Sequence, residues 1–205
     1  MIVKCFTSPL DIETVSLYKK DDSEVTICAD RACLICANNN IEIEYAIGDF
    51  DSVSEREFET IKKAAKNIES FSAVKDYTDT YLVIKKALSL DFDDIVLYGG
   101  LGNRIDHTLA NLDLLMLGPI KLVTKDTLVY ALDPGLYEIE NPYDYISIYP
   151  IESVEGLTLE GFNYSLKDYK LDRFDPLCIS NQGEGTISFD KGCILVIHSS
   201  ELNTL

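Results

Sequence analysis

The sequence predicts an α/β domain with a mostly parallel sheet over residues 1–125, followed by an antiparallel β-sandwich or barrel-like domain over residues 126–205. Two observations predict this. Before residue 125, short apolar runs alternate with helical patterns, which implies a covered, mostly parallel sheet. After it, helical periodicity disappears and short strand-like runs follow one another closely, separated by Gly, Pro, Asn and Asp. A third observation makes a packed core feasible: 46% of the 205 residues are hydrophobic.

The elements follow in order. VTICA (25–29), EIEYAI (42–47), DIVLYGG (94–100) and IKLVT (120–124) are buried-strand candidates. Ser54-Glu55-Arg56-Glu57 has the form of a capping box and opens a helix with Phe58, Ile61 and Ala65 on its apolar face. A second helix begins near Thr78 or Asp79, after the strand-like FSAV (71–74). A third runs from about Ile105 through Leu109, Leu112 and Met116 until Gly118 and Pro119 stop it. Beyond residue 125 the strand candidates are LVYAL, GLYEIE, DYISIYP, LTLEGF, LCISN, TISF and CILVIHS.

A formal net charge of -17 argues against a nucleic-acid binder, which needs a basic face. It suits a cationic small substrate, and admits a phosphorylated one if metal ions and helix N-termini bring positive charge. No stretch approaches the ~18 apolar residues of a membrane span. The opening MIVKCFTSPLDIETV lacks the pattern of a secretion signal, so a cytoplasmic protein is expected. Its six cysteines then read as free thiols. The CxxC of Cys33 and Cys36 lies in apolar CLICA and has no good second pair for zinc.

Three stretches fall at strand ends, where open α/β sheets bind ligands. In GDFDS (48–52), Asp49 and Asp51 are two positions apart. An extended Asp-x-Asp step puts both side chains on one side of the chain, ready for a hard dication such as magnesium, although a solvated turn has the same composition. In KDYTDT (75–80), Asp76 and Asp79 are either helix-capping residues or further ligands converging on that pair. GGLGNRIDHTLANL (99–112) sets three glycines before a helix, which suits close approach to a phosphate. Arg104 offers a phosphate fork, and Asp106 and His107 follow on the first turn. The spacing is neither a P-loop nor a dinucleotide fingerprint. His198, inside CILVIHS, reads as structural.

These three stretches, in this order, resemble the thiamine pyrophosphokinase family, which carries Gly-Asp-Phe-Asp-Ser, Lys/Gln-Asp-x-Thr-Asp and Gly-Gly-x-Gly-x-Arg-x-Asp-His-x-x-Ala-Asn. Gly48–Ser52, Lys75–Asp79 and Gly99–Asn111 correspond, and LEGFNYSL (159–166), ISNQ (179–182) and GCILVI extend the likeness over nearly the whole chain. The resemblance implies transfer of the β,γ-diphosphoryl group of ATP to the hydroxyl of thiamine, with Mg2+, in a homodimer whose thiamine lies where the first domain of one subunit meets the second domain of its partner. It implies that Asp49, Asp51 and Asp79 hold the metal, and that Asp76, Arg104 and Asp106 complete the catalytic set. Asp30, Lys75, Thr78, Gly100, Arg104, His107 and Asn111 would contact nucleotide, and Ser180 and Asn181 thiamine.

The chain departs from the family pattern in two places. Ala29-Asp30-Arg31-Ala32 stands where Ala-Asp-Gly-Gly is usual, and Asn103 stands where glycine is common, a residue that tolerates positive φ. With no Trp in the chain, a ring stacking on thiamine must be Tyr or Phe. Two other readings stay open. Asp49-Phe50-Asp51-Ser52-Val53 fits the first motif of a haloacid-dehalogenase-like phosphatase, with Asp49 as nucleophile. A non-catalytic thiamine or nucleotide sensor on the same fold is the other.

Overall fold

The structure is a computed structural model that describes residues 1–70 and 77–201. FSAV (71–74), Lys75 and Asp76 lie outside the described residues. The chain divides into two compact units, Met1–Lys125 and Asp126–Leu205.

In the first unit, β1 (Ile2–Thr7), β2 (Glu24–Ala29), β3 (Ile43–Gly48), β4 (Ala65–Ser70), β5 (Asp94–Gly99) and β6 (Ile120–Val123) pair in the order β4-β3-β2-β1-β5-β6, and every pair is parallel. The winding reverses between β1 and β5, so the loops after these two strands flank a crevice at the sheet's carboxyl edge. On one face, Phe6, Cys28 and Ala46 pack against α2 (Arg31–Asn38) and α3 (Glu55–Ala64) through Ala32, Cys33, Cys36 and Ile61. On the other, α4 (Asp79–Leu88) crosses β1, β2 and β3, with Lys86 4.1 Å from the centre of the Tyr45 ring. The CLICA cysteines are buried free thiols inside α2.

The capping box forms: Ser54 Oγ accepts from Glu57 N–H, and the Glu57 carboxylate accepts from Ser54 N–H at 2.8 Å. The periodicity overextends this helix, because Ala65 already belongs to β4, which follows α3 directly. The third expected helix is likewise shorter: α5 (Ile105–Asp113) tightens into a 3-10 turn over Leu114–Leu117 before Gly118. The short α1 (Ile12–Ser16), α2, β1 and β4 were not among the expected elements. β4 alternates weakly, with Lys66 and Asn67 both exposed.

The second unit is a sandwich of two antiparallel sheets. One has the order β7 (Thr127–Leu132), β13 (Ile194–Ser199), β9 (Tyr145–Pro150). The other has the order β11 (Leu166–Leu171), β10 (Val154–Glu160), β12 (Gly185–Phe189), β8 (Gly135–Ile139). Inward side chains such as Ile148, Val196, Leu157, Leu159, Ile187 and Phe189 interleave in one core. In β10 the buried positions change parity between Val154 and Leu157, where the pairing with β11 shifts register. LCISN is not a strand: Cys178 and Asn181 instead make isolated backbone bonds to β9. β11, LKDYKL, escapes sequence reading because polar residues occupy its middle.

His198 is structural, as expected. It is 1% exposed, its Nδ1 lies 2.8 Å from Asn141 Oδ1 and its Nε2 3.2 Å from the Tyr130 hydroxyl, with the Tyr143 ring alongside. Burial lowers its pKa, so the folded unit holds it neutral while the unfolded chain takes up a proton near pH ~6.5. The unfolded state therefore binds more protons as pH falls through that value, and stability decreases from there downward. Urea titrations across pH 5–7 (about that window) should show the loss, and His198→Gln should flatten it.

Candidate functional site

β3 ends at Gly48, and the chain turns at once. A Cβ at Gly48 would lie 3.1 Å from Asp30 Cα, so a side chain here would push the two loops apart. The Asp49-Phe50-Asp51 step is not extended: Phe50 takes φ 57°, in the left-handed region. This turn, and not strand alternation, brings the two carboxylates together. Phe50 is driven inward, 7% exposed, with its ring 5.0 Å from that of Phe58. Burying the middle residue leaves Asp49 and Asp51 at the rim, where the Asp51 amide donates to Asp49 Oδ1 at 3.3 Å.

A third carboxylate joins them from β2. One ligand oxygen from each of Asp30, Asp49 and Asp51 lies within 4.8 Å of the others. Asp30 occupies the N-cap position of α2 but makes no side-chain cap, and its backbone takes φ 41°. Asp is a favoured capping residue, so its withdrawal from that role is informative. Oδ2 instead accepts from Ser52 Oγ at 2.5 Å, while Oδ1 is buried without a hydrogen-bond partner. A buried carboxylate oxygen left without a donor is costly, and a cation removes that cost. An all-oxygen set of three carboxylates fits a hard dication such as Mg2+.

The electrostatics agree. The neighbouring Asp49 raises the Asp51 pKa above the ordinary carboxylate value, with smaller contributions from desolvation, Asp30 and Asp79. Asp79 therefore acts on the same cluster from the first turn of α4. Thr78 is the cap of that helix, its Oγ1 accepting from Tyr81 N–H at 3.2 Å. The next residue, Thr80, is buried and shares a 2.7 Å hydrogen bond with Thr7 Oγ1 at the end of β1. The α4 N-terminus is thereby fastened to the centre of the sheet. Sequence reading did not single out Thr7 or Thr80; a threonine ending an apolar strand was the signal.

The glycine-rich turn lies after β5. Gly99 and Gly100 both take φ 86°, and a Cβ at Gly99 would lie 2.4 Å from the Thr7 carbonyl oxygen and 2.6 Å from that of Pro9. Glycine is required there by conformation and by space. Asn111, 1% exposed, donates from Nδ2 to Gly100 O at 2.8 Å, so it braces the turn. Asn103 is not among the residues with positive φ, and the turn is carried by Gly99 and Gly100. Arg104 and Asp106 form a two-point pair, 2.6 and 3.3 Å, at the exposed mouth of α5. That hydrogen bonding holds the Asp106 carboxyl below its usual range, and the His107 backbone also donates to it.

In the second unit, Ser180 takes φ 60° and its amide donates to Ser147 Oγ at 2.9 Å. The Asn181 amide serves the fold: Nδ2 donates to Tyr164 O at 2.8 Å, and Oδ1 accepts from the backbone of Tyr164 and Gln182. It closes one wall of a cleft of about 170 Å³ lined also by Leu159, Tyr164, Leu166, Leu177, Cys178 and Ile179. Tyr164 supplies the cleft's aromatic ring and is 71% exposed.

Residues 18–129 match the family model described as thiamin pyrophosphokinase, catalytic domain, and residues 136–194 match the thiamin pyrophosphokinase vitamin B1 binding domain. The thiamine pyrophosphokinase of Bacillus subtilis is 36% identical over 192 residues, covering 88% of this chain and 90% of that protein. A crystal structure of the Bacillus subtilis thiamine pyrophosphokinase superposes with a TM-score of 0.88 at 32% identity, over 98% of this chain and 100% of that one. The thiamin pyrophosphokinase structure from Geobacillus thermodenitrificans gives 0.87 at 29% identity, with 100% of both chains covered. Neither the phosphatase nor the sensor reading finds support among these matches. The chain belongs to the thiamin pyrophosphokinase family.

Proposed function

We propose that this chain transfers the diphosphate of ATP to the hydroxyl of thiamine, giving thiamine diphosphate and AMP, with Mg2+ held by the first unit. The observation that carries the metal is the convergence of Asp30, Asp49 and Asp51, with Asp30 Oδ1 buried and unpartnered. Asp79 contributes its charge to the same cluster. Bound there, Mg2+ would neutralise phosphate oxygens as charge shifts during transfer.

The chain's own residues do the rest. The thiamine oxygen attacks the β-phosphorus, the bond to the bridging oxygen breaks, and AMP leaves with that oxygen. The Gly99–Gly100 turn, packed against Thr7, Pro9 and Asn111, leads into α5, whose N-terminus and the fork of Arg104 offer positive partial and full charge to phosphate. Carboxylates of the acidic cluster offer acceptors for the hydroxyl proton. Asp76 and Lys75 complete this set in our reading on the family resemblance alone. We assign the thiamine ring to the second unit, beside Ser180 and Asn181, where the cleft offers the Tyr164 ring. The net charge of -17 favours a cationic thiazolium. A homodimer and a cytoplasmic location complete the proposal; six cysteines held as thiols suit a reducing compartment, and no described helix is long and apolar enough to cross a membrane.

Incubation of the purified protein with ATP, Mg2+ and thiamine, followed by product separation, should give AMP and thiamine diphosphate in equal amounts. ADP with thiamine monophosphate, or inorganic phosphate alone, would contradict the assignment. Asp51→Asn should lower turnover on the order of a hundredfold. Its circular dichroism spectrum should stay unchanged, because Asp51 is exposed.

A further inference from the structure

We propose that Arg31 is a positioning residue that fixes the turn carrying Asp51. This rests on the reading of Asp30, Asp49 and Asp51 as a metal site.

Arg31 is the first residue of α2, where the helix dipole disfavours a cation and local rules select Asp or Glu. Its guanidinium does not extend freely into solvent. Nη1 reaches across to the Ser52 carbonyl at 3.0 Å, while the adjacent Asp30 Oδ2 takes the Ser52 hydroxyl at 2.5 Å. Two consecutive residues of one loop thus hold both polar ends of a single residue in another. On the far side of Asp51, the buried Phe50 ring anchors the same turn, and Val53 N–H closes it onto Phe50 O at 3.3 Å. Asp51 sits between the anchor and the clasp.

The clasp has a load to resist. Asp49 and Asp30 repel Asp51, and an exposed turn would relieve that repulsion by swinging the Asp51 carboxylate outward. Holding the Ser52 carbonyl blocks the swing, so the three carboxylates stay assembled before any cation arrives. The positive charge of Arg31 also reaches Glu57, whose pKa it lowers behind the larger effect of the Ser54 hydrogen bonds. Arg31 therefore joins three neighbouring features: the start of α2, the acidic turn and the start of α3.

The test is Mn2+ binding without nucleotide, read by electron paramagnetic resonance, on the wild-type protein, Arg31→Ala, Arg31→Lys and Asp51→Asn. Arg31→Ala should weaken Mn2+ binding about fivefold, the net size of one ordinary hydrogen bond. It should raise the Mg2+ activation constant and the KM for Mg-ATP by a similar factor, with a smaller effect on kcat. Arg31→Lys, which can still donate to a carbonyl, should recover most of the loss. Unchanged or tighter Mn2+ binding in Arg31→Ala overturns the proposal. So does a raised KM for Mg-ATP at wild-type Mn2+ affinity, because Arg31 would then be meeting the nucleotide itself. If the wild-type protein binds no Mn2+, or Asp51→Asn binds it as strongly as the wild type, the metal-site reading fails and takes the inference with it.

Discussion

Mutual repulsion among Asp30, Asp49 and Asp51 is the constraint around which the first unit is arranged. Three carboxylates with oxygens within 4.8 Å of one another oppose the local structure that holds them. Each is placed by an element with its own reason to form. Asp30 directly follows β2, Asp49 directly follows β3, and the capping box of α3 begins at Ser54, three residues after Asp51. The parallel sheet brings its carboxyl ends to one edge, and the burial of Phe6, Cys28 and Ala46 beneath α2 and α3 keeps those ends in register. Hydrophobic burial that never touches the site therefore holds like charges together.

The same edge gathers compensating partial charges. α2 follows β2 and α5 follows the glycine turn after β5, while Thr80 in the first turn of α4 is bonded to Thr7 at the end of β1, so three helix N-termini with their unpaired amides belong to this edge. Carboxylates at the rim and helix amides behind them suit a ligand that is itself an anion carrying a dication. A phosphate chain with its metal has that character. Neither feature alone selects it, since a cation alone needs no amides and a bare phosphate is repelled by the acids.

Much of this was legible in the sequence. Strand–helix alternation followed by close-set strands reads as two architectures, and the structure contains both. The three motif stretches were visible because their composition breaks the apolar pattern around them. What escaped had physical causes. The joining of Asp30 to the pair depends on a parallel neighbour relation between β2 and β3, which no local spacing encodes. The Asp49–Asp51 convergence was expected from an extended step but comes from a left-handed Phe50, a conformation that residue type argues against and burial of its ring imposes. The edge elements β4 and β11 carry polar residues at mid-strand, so their alternation is faint. The hydrogen bonds by which the Asn181 amide holds the backbone of Tyr164 were also hidden, because that partner lies 17 residues away in the chain.

The distribution of strain gives an independent view of where the sequence has been shaped by something other than folding. Five described non-glycine residues have positive φ: Asp30, Asn40, Phe50, Asp168 and Ser180. Asn40 just beyond α2 is an ordinary helix-ending choice, and Asp168 lies within the irregular β11. The remaining three fall on the acidic cluster and on the Ser-Asn segment of the second unit. Gly99 and Gly100 add two more such conformations at the turn after β5. Backbone strain of this kind persists only where surrounding packing over-determines it. Here the over-determination is visible: a buried ring beneath Phe50, the Ser52 clasp beside Asp30, a buried Asn111 behind Gly100, and the Ser147 hydroxyl under Ser180. The fold thus spends its redundancy on the few residues whose conformations it would otherwise not choose.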